Sequence, residues 1–242
     1  MTAHQLQQSV VLYIPAKGRS TGIPRKNLVK LLDKPLLSYS LNEALLVAAS
    51  PRNVVVSSED DEISRLATSC GATYIQRKPE LSQDKVRVRE VLAAELDALE
   101  ALGGKDAILV VLLPTSPLRR ASHICDAMDA FMREPTAFSL VSVTASPAAP
   151  AHQLGLTADG KLTFPHGIEA VNHNSQRQAI APSFYPNGAI YIVRLREFRN
   201  FPFFFHPTRT IGFLLDGAPA IDIDSPEQLE FAASALTLRR TQ

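Results

Sequence analysis

Six cations crowd one short stretch of this chain. Lys17, Arg19, Arg25, Lys26, Lys30 and Lys34 fall within residues 15–34, opposed only by Asp33. Gly18 and Gly22 let the backbone there approach a ligand closely, and Ser20, Thr21 and Asn27 add hydrogen-bonding side chains. Cations and exposed N–H groups placed directly after a strand suit a polyphosphate. The stretch has neither GxxxxGK(S/T) spacing nor GxGxxG, so it is not a P-loop or a dinucleotide fingerprint. A charge run alone is more often a solvated loop; two glycines and a buried strand just before it favour a ligand loop. Three more polar clusters follow expected strands: the segment from Arg77 through Asp84, Lys85, Arg87 and Arg89; the loop with Thr115, Ser116 and Arg119; and the pair Asp222 and Asp224. In an open parallel sheet, ligands sit outside the carboxyl ends of the strands.

The elements that would position these clusters can be read from periodicity. Residues 10–14 form a short apolar run that reads as a buried strand. Leu37, Leu41, Leu45 and Ala48 recur at helical spacing between Pro35 and Pro51. Residues 53–57 and 73–76 read as strands around a helix at 60–70, whose acidic first turn and closing Gly71 suit the helix dipole and the C-cap. Residues 86–102 carry Val88, Val91, Leu92, Leu96 and Leu99 on one helical face. Residues 107–113 are wholly apolar, as in a central strand covered on both sides. A helix at 124–132 and a strand at 138–143 follow. The rhythm then breaks, and residues 146–185 read as an inserted lobe. Strands resume at 188–193 and 210–215, before a last helix at 226–238. The expectation is an α/β protein, a single domain over 1–242, with a mainly parallel sheet and helices on both faces.

Composition narrows the function classes. Lys+Arg number 25 and Asp+Glu 24, for a net charge of +1. That balance argues against a general nucleic-acid binder. Two cysteines give neither a disulfide framework nor a zinc cluster. Cys70 and Cys125 fall within helical patterns and are expected to be buried and inert. The first nine residues do not read as a signal peptide, and no apolar run approaches the roughly 20 residues of a membrane span. A cytoplasmic protein with no membrane partner is expected.

Residues 14–27 read IPAKGRSTGIPRKN. This resembles the signature loop of the acylneuraminate cytidylyltransferases, IPARxxSKGxPxKN. Residues 77–84 are similar to that family's RPxELAxD, LPTSPLR at 113–119 to its QPTSPLR, Arg177 with Pro182 and PNGAIYI at 186–192 to its R…P…PNGAIYI, and residues 221–229 to its IDIDxxxDL. The resemblance implies a Rossmann-like nucleotidyltransferase fold with an inserted dimerisation lobe, and a homodimer. It implies transfer of CMP from CTP to an acidic acceptor, with pyrophosphate released. By the same resemblance, Lys17, Ser20 and Lys26 hold the phosphates with help from Arg25 and Gly18. Asn27 and Arg77 meet the nucleotide, and the backbone at Pro15 and Ala16 meets cytosine. Asp222 and Asp224 match the metal-binding aspartates, with Mg²⁺ as the cofactor; hard carboxylate oxygens suit that ion, and i, i+2 spacing in a strand would put both on one face. Capping of the helix after Ser225 is the competing use of the pair. Lys17, Lys26 and Asp222 form the implied catalytic set. Thr115, Arg119, Arg177, Asn187, Phe203 and Phe204 match the acceptor side, with Arg119 as a candidate buried anchor and both phenylalanines open to an ordinary core role.

The sequence departs from the family pattern mostly on the acceptor side. Leu113 stands where the family has glutamine, Thr21 replaces a lysine, and Lys85, Arg87 and Arg89 replace small hydroxyl residues. Added cations would shrink and charge the acceptor space. Two acceptors therefore stand level: a nonulosonic acid such as a sialic acid, or a phosphonate, as in the related phosphonate cytidylyltransferases. The rival readings are a DxD glycosyltransferase and a weakened paralogue that only binds CTP.

Overall fold

The computed structural model describes residues 9–173 and 182–240. In chain order its strands are β1 (Val10–Pro15), β2 (Lys30–Leu31), β3 (Lys34–Pro35), β4 (Val54–Ser58), β5 (Thr73–Gln76), β6 (Ile108–Val111), β7 (Ser139–Ala145), β8 (Gly155–Leu156), β9 (Leu162–Thr163), β10 (Phe184–Arg194) and β11 (Thr210–Leu214). The helices are α1 (Leu36–Val47), α2 (Asp61–Ser69), α3 (Val88–Ala94), α4 (Leu96–Gly103), α5 (Ala121–Met132), α6 (Ile168–His173), α7 (Leu195–Asn200) and α8 (Pro226–Arg240).

Seven strands form the main sheet in the order β11-β7-β10-β6-β1-β4-β5. β1, β4, β5 and β6 run parallel, β11 is parallel to β7, and β10 alone is antiparallel to its neighbours β6 and β7. Alternation along β1 shows why the central strands are apolar throughout. Leu12 and Ile14 face a core layer built with α1, α2 and α5, while Val11 and Tyr13 face a second layer under α3, α4 and α7. The expected α/β sheet covered on both faces is therefore what forms. After β5 the chain returns to pair β6 on the other side of β1, so the strand order reverses between β1 and β6. That reversal opens a crevice at their carboxyl ends.

Three details depart from the sequence reading. The helix expected over 86–102 breaks at Glu95, which joins α3 to α4 and turns its carboxylate into the core, where it accepts bonds from Tyr13 and Ser57. The strand expected at 188–193 begins earlier, at Phe184, and carries an irregularity between Pro186 and Tyr191 around Gly188, whose φ is 77°. Cys125 is exposed, and Cys70, just past the end of α2, is half-buried against the core rather than fully buried. Within the lobe, β8 pairs with β9 and α6 follows; residues 174–181 lie outside the described part.

A third, smaller core sits beneath α8. It gathers Ile23 of the first loop, Leu118, Ile223 and Ala232. This cluster bolts the cationic loop and the aspartate segment to one support. Arg119 adds a second bolt. Fully buried, it donates to the carbonyls of Leu113 at 3.2 Å and Ala189 at 2.6 Å and to Ser40 Oγ at 2.8 Å. Burial pushes its pKa down to about 9, against the pull of Glu43, so it stays charged near neutrality. Arg119→Met should strip donors from the two carbonyls and lower unfolding stability by about 3 kcal/mol or more, read as a shifted denaturant midpoint. An unchanged midpoint would show the anchor to be dispensable.

Candidate active site

The crevice between the ends of β1 and β6 is a cleft of about 300 Å³. Pro15, Lys17, Ser20, Lys26 and Asn27 line one side, Arg77 and Arg87 another, and Leu113, Pro114 and Thr115 a third. Eight residues singled out from the sequence thus share one cleft: Pro15, Lys17, Ser20, Lys26, Asn27, Arg77, Arg87 and Thr115.

The loop from β1 is tied down by its own side chains. Asn27 is buried, and its Nδ2 donates to Lys17 O at 2.8 Å, closing the loop on itself. Gly22 lies against the backbone of the aspartate segment, so close that a Cβ there would sit 2.7 Å from Asp224 O. Lys26 Nζ donates to Ile223 O at 2.8 Å and pairs with Asp224 Oδ1 at 2.6 Å. Lys17 Nζ pairs with Asp84 Oδ1 at 2.7 Å across an exposed edge. Such an exposed pair is worth about 0–1 kcal/mol, so a triphosphate replaces Asp84 as the lysine's partner at little cost. Ser20 Oγ is buried and has no hydrogen-bond partner.

The segment with the two aspartates runs beside the β6 loop, where Ile223 N donates to Thr115 O at 2.8 Å. It is not a strand, so the expected strand spacing is corrected. Because Ile223 turns into the small core between them, both carboxylates still lie near Lys26 and each other. Asp222 Oδ1 is buried without a partner. Burial raises the Asp222 pKa above the ordinary carboxylate value and Asp224 adds to the rise, while Thr115 and Lys26 pull it down. Among the described residues no cluster of three or more His, Cys, Asp or Glu could enclose a metal by itself. Two carboxylates with one orphaned oxygen nonetheless fit a hard cation whose other ligands are phosphate oxygens and water.

Other expected site residues lie elsewhere. Arg25 has φ 51° and swings onto the start of α2, pairing with Asp60 and Glu62 at 3.0 Å each. The amide of Gly18 is taken by Glu59 Oε1, and that of Ala16 by Ser57 O. Arg119 is the internal anchor described above and does not line the cleft. Asn187 is saturated: Ser142 Oγ and Ala189 N donate to its Oδ1, and its Nδ2 donates to Thr144 Oγ1 and Leu215 O. It shapes the irregularity in β10 that brings Gly188 against Asp222, whose Oδ2 would be 3.5 Å from a Cβ there. Phe204 packs on Tyr191 and Phe198 as core, and Phe203, exposed, stacks on Phe201 under the Arg89 guanidinium. Lys85 is exposed outside the cleft, and Arg177 lies outside the described residues. The sequence reading missed Leu81, Gln83, Val86, Val88 and Val91 as cleft lining. The valines had been spent on a continuous helix, although Val86 lies before its start.

Known proteins carry the same pattern. The sequence pattern of the cytidylyltransferases matches residues 11–153, more than half of the chain. The chain belongs to the cytidylyltransferase family. It is 28% identical to an N-acylneuraminate cytidylyltransferase of Escherichia coli over 227 residues, which cover 94% of this chain and 52% of that protein. It is also 28% identical to a pseudaminic acid cytidylyltransferase of Campylobacter jejuni over 220 residues, 90% of this chain and 92% of that one. The chain thus spans about half the length of the N-acylneuraminate relatives it matches and nearly all of the pseudaminic acid one. In fold it is similar to a CMP:2-keto-3-deoxy-manno-octonic acid synthetase solved with CTP, with TM-score 0.69, 17% identity and coverage of 96% of this chain and 99% of that one. The expected kinship with acylneuraminate cytidylyltransferases and the expected nucleotidyltransferase fold both stand.

The cost of keeping Asp222 charged yields a prediction. Its pKa is raised in the folded chain, so the ionised carboxylate destabilises the ligand-free fold above that pKa, and the penalty fades as pH falls below the ordinary carboxylate value. Asp222→Asn should therefore raise the melting temperature of the ligand-free protein at pH 7 and give no gain at pH 3. A lower melting temperature at pH 7 would contradict the assignment of Asp222 as a strained, ligand-ready carboxylate.

Proposed function

We propose that this chain transfers CMP from CTP to a nonulosonic acid and releases pyrophosphate. The observation that carries the reading is the meeting of Lys17, Lys26 and the orphaned Ser20 hydroxyl with Asp222 and Asp224 at one edge of the sheet. Cations with no aspartates would suit any anion; the two together suit a metal-bound triphosphate. The named substrates of the curated relatives support the choice of acceptor.

Lys17 and Lys26 exchange Asp84 and Asp224 for phosphate oxygens, and Ser20 Oγ gains the partner it lacks. Arg77, Pro15 and the valine-lined wall receive the nucleoside end. Asp222 and Asp224 would hold Mg²⁺, which when bound supplies neutralisation of charge on the triphosphate. An acceptor oxygen, positioned in line, bonds to the α-phosphorus as the bond to the bridging oxygen breaks. Pyrophosphate leaves with the electron pair of that bond, and the two lysines stabilise the charge that develops on it. The acceptor's proton passes to solvent.

Arg87 favours a second reading. It is the one cation of the 85–89 stretch that lines the cleft, and apolar Leu113 lines it too, where the family pattern has an amide. A small, doubly anionic phosphonate would suit that arrangement. Association through the lobe completes the proposal: Leu156, Leu162, Phe184, Tyr185 and Leu214 are all exposed, an apolar surface that a second copy would cover. No helix among the described residues is long and apolar enough to cross a membrane.

Incubation with CTP, Mg²⁺ and an acceptor, with pyrophosphate as readout, tests the reading. Pyrophosphate should appear with N-acylneuraminic, pseudaminic or legionaminic acid. Release with a phosphonate alone would move the acceptor to the second reading, and none with any acidic acceptor would leave a CTP-binding protein only. Arg87→Ser should raise kcat/KM for the bulkier sugar relative to a phosphonate by about tenfold, an amount typical of one charge-assisted contact. An unchanged ratio would remove Arg87 from acceptor selection.

A further inference from the structure

Beneath the cleft runs a buried chain of four polar groups from four different elements. Tyr13 on β1 donates its hydroxyl to Glu95 Oε2 at 2.7 Å. Ser57 on β4 donates to Glu95 Oε1 at 2.6 Å. Arg77, just past β5, donates from Nε to Ser57 Oγ at 3.0 Å and from Nη2 to Ser57 O at 2.8 Å. Glu95 is 7% exposed and Arg77 4%. The two opposite charges do not touch; a single hydroxyl passes the interaction between them. Ser57 O also accepts from Ala16 N at 2.9 Å, so the same residue sets the start of the cationic loop.

A fully buried guanidinium needs a counter-charge and a complete set of acceptors. Arg77 has only part of that set. Its Nε and Nη2 are engaged on the Ser57 side, whereas Nη1 has no hydrogen-bond partner among the described residues and the residue lines the cleft. The carboxylate of Glu95 faces the opposite side of Ser57. Burial, reinforced by that charge, holds the Tyr13 phenol well above the ordinary tyrosine range, so Tyr13 stays a neutral donor. Glu95 lies at the junction of α3 and α4, three residues after Leu92 and four before Leu99, so helical spacing puts its carboxylate on the buried apolar face. A carboxylate buried among apolar neighbours carries a desolvation cost that its hydrogen bonds only partly offset. The geometry therefore demands a role for the charge.

We propose that Glu95 is a positioning residue for the nucleotide: through Ser57 Oγ it orients the Arg77 guanidinium, leaving Nη1 presented to the nucleoside end of the cleft. The inference rests on the reading of the cleft as a CTP site. It adds that affinity for CTP is set in part by a carboxylate that never meets the ligand. Glu95→Gln preserves size but replaces one of the two acceptor oxygens with a donor, which disrupts the bond from either Ser57 or Tyr13.

The test is a double-mutant cycle on CTP binding, measured by calorimetry with the whole chain and Mg²⁺, with thermal melts to confirm folding. Wild type should bind CTP; if it does not, the function proposed above fails, and the role of Glu95 falls with it. Given wild-type binding, Glu95→Gln should weaken CTP by about tenfold, the scale of a lost bond to a charged group, and raise the KM for CTP more than it lowers kcat. In an Arg77→Gln background the same change should cost less than twofold, because its effect passes through Arg77. A merely structural Glu95 would lower the melting temperature in both backgrounds and leave the coupling at zero. Should Glu95→Gln not fold, Ser57→Ala removes the relay hydroxyl alone and should weaken CTP by at least threefold. CTP binding within twofold of wild type in each folded variant, or equal losses in the two backgrounds, overturns the proposal.

Discussion

The ion pair between Lys26 and Asp224, 2.6 Å long, joins residues 198 positions apart. Almost everything at the sheet edge is arranged around it. The first loop can carry many cations only if it is held against their mutual repulsion, and Asp224 holds it from the far end of the chain. Ile23 and Ile223 make the same connection in apolar terms, packed together with Leu118 under α8. Lys26 is largely enclosed while its partner is 71% exposed, so the lysine is fixed and the aspartate is free to change partner. A cation site with an exchangeable carboxylate is ready for a triphosphate in a way that a bare cation cluster is not.

The same logic extends to the rest of the loop. Lys17 rests on Asp84, and Arg25 on Asp60 and Glu62. These pairs sort the cations. Lys17 faces the cleft across a weak, open contact, whereas Arg25 is held by two carboxylates at a helix start that stabilises both. The near-neutral total of the chain is thus in part a local property of the site: Lys17, Arg25 and Lys26 each have a carboxylate assigned to them.

Much of this was legible in the sequence, and the limits have physical reasons. The strands β1, β4 and β6 could be read because central parallel strands are apolar throughout and are bounded by turn residues. The phosphate end of the cleft could be read because its residues are contiguous and charged. The acceptor side was legible in type but not in place. Asn187 and Arg119 have the chemistry of ligand contacts, yet each is engaged by internal partners, Asn187 by Ser142, Thr144 and Leu215 O, Arg119 by Leu113 O, Ala189 O and Ser40. Glu95 was invisible for the converse reason. On a helical wheel it shares the apolar face with Leu92 and Leu99, but the buried partners that let a carboxylate sit there, Tyr13 and Ser57, come from strands distant in the sequence.

The sheet also constrains how such a chain can change over time. β10 runs against its neighbours, so the lobe leaves from the end of β7 and returns at the start of β10, at the same edge as the cleft. Ala145 and Phe184 face each other directly across that ladder. A tight turn between those two residues would close the sheet and leave every other strand in register. The segment between them is in that sense a cassette: its sequence and length can be exchanged in one step, while the loop, the aspartates and the buried polar chain remain untouched. This segment can diversify on the fold without disturbing the sheet edge that carries the cleft.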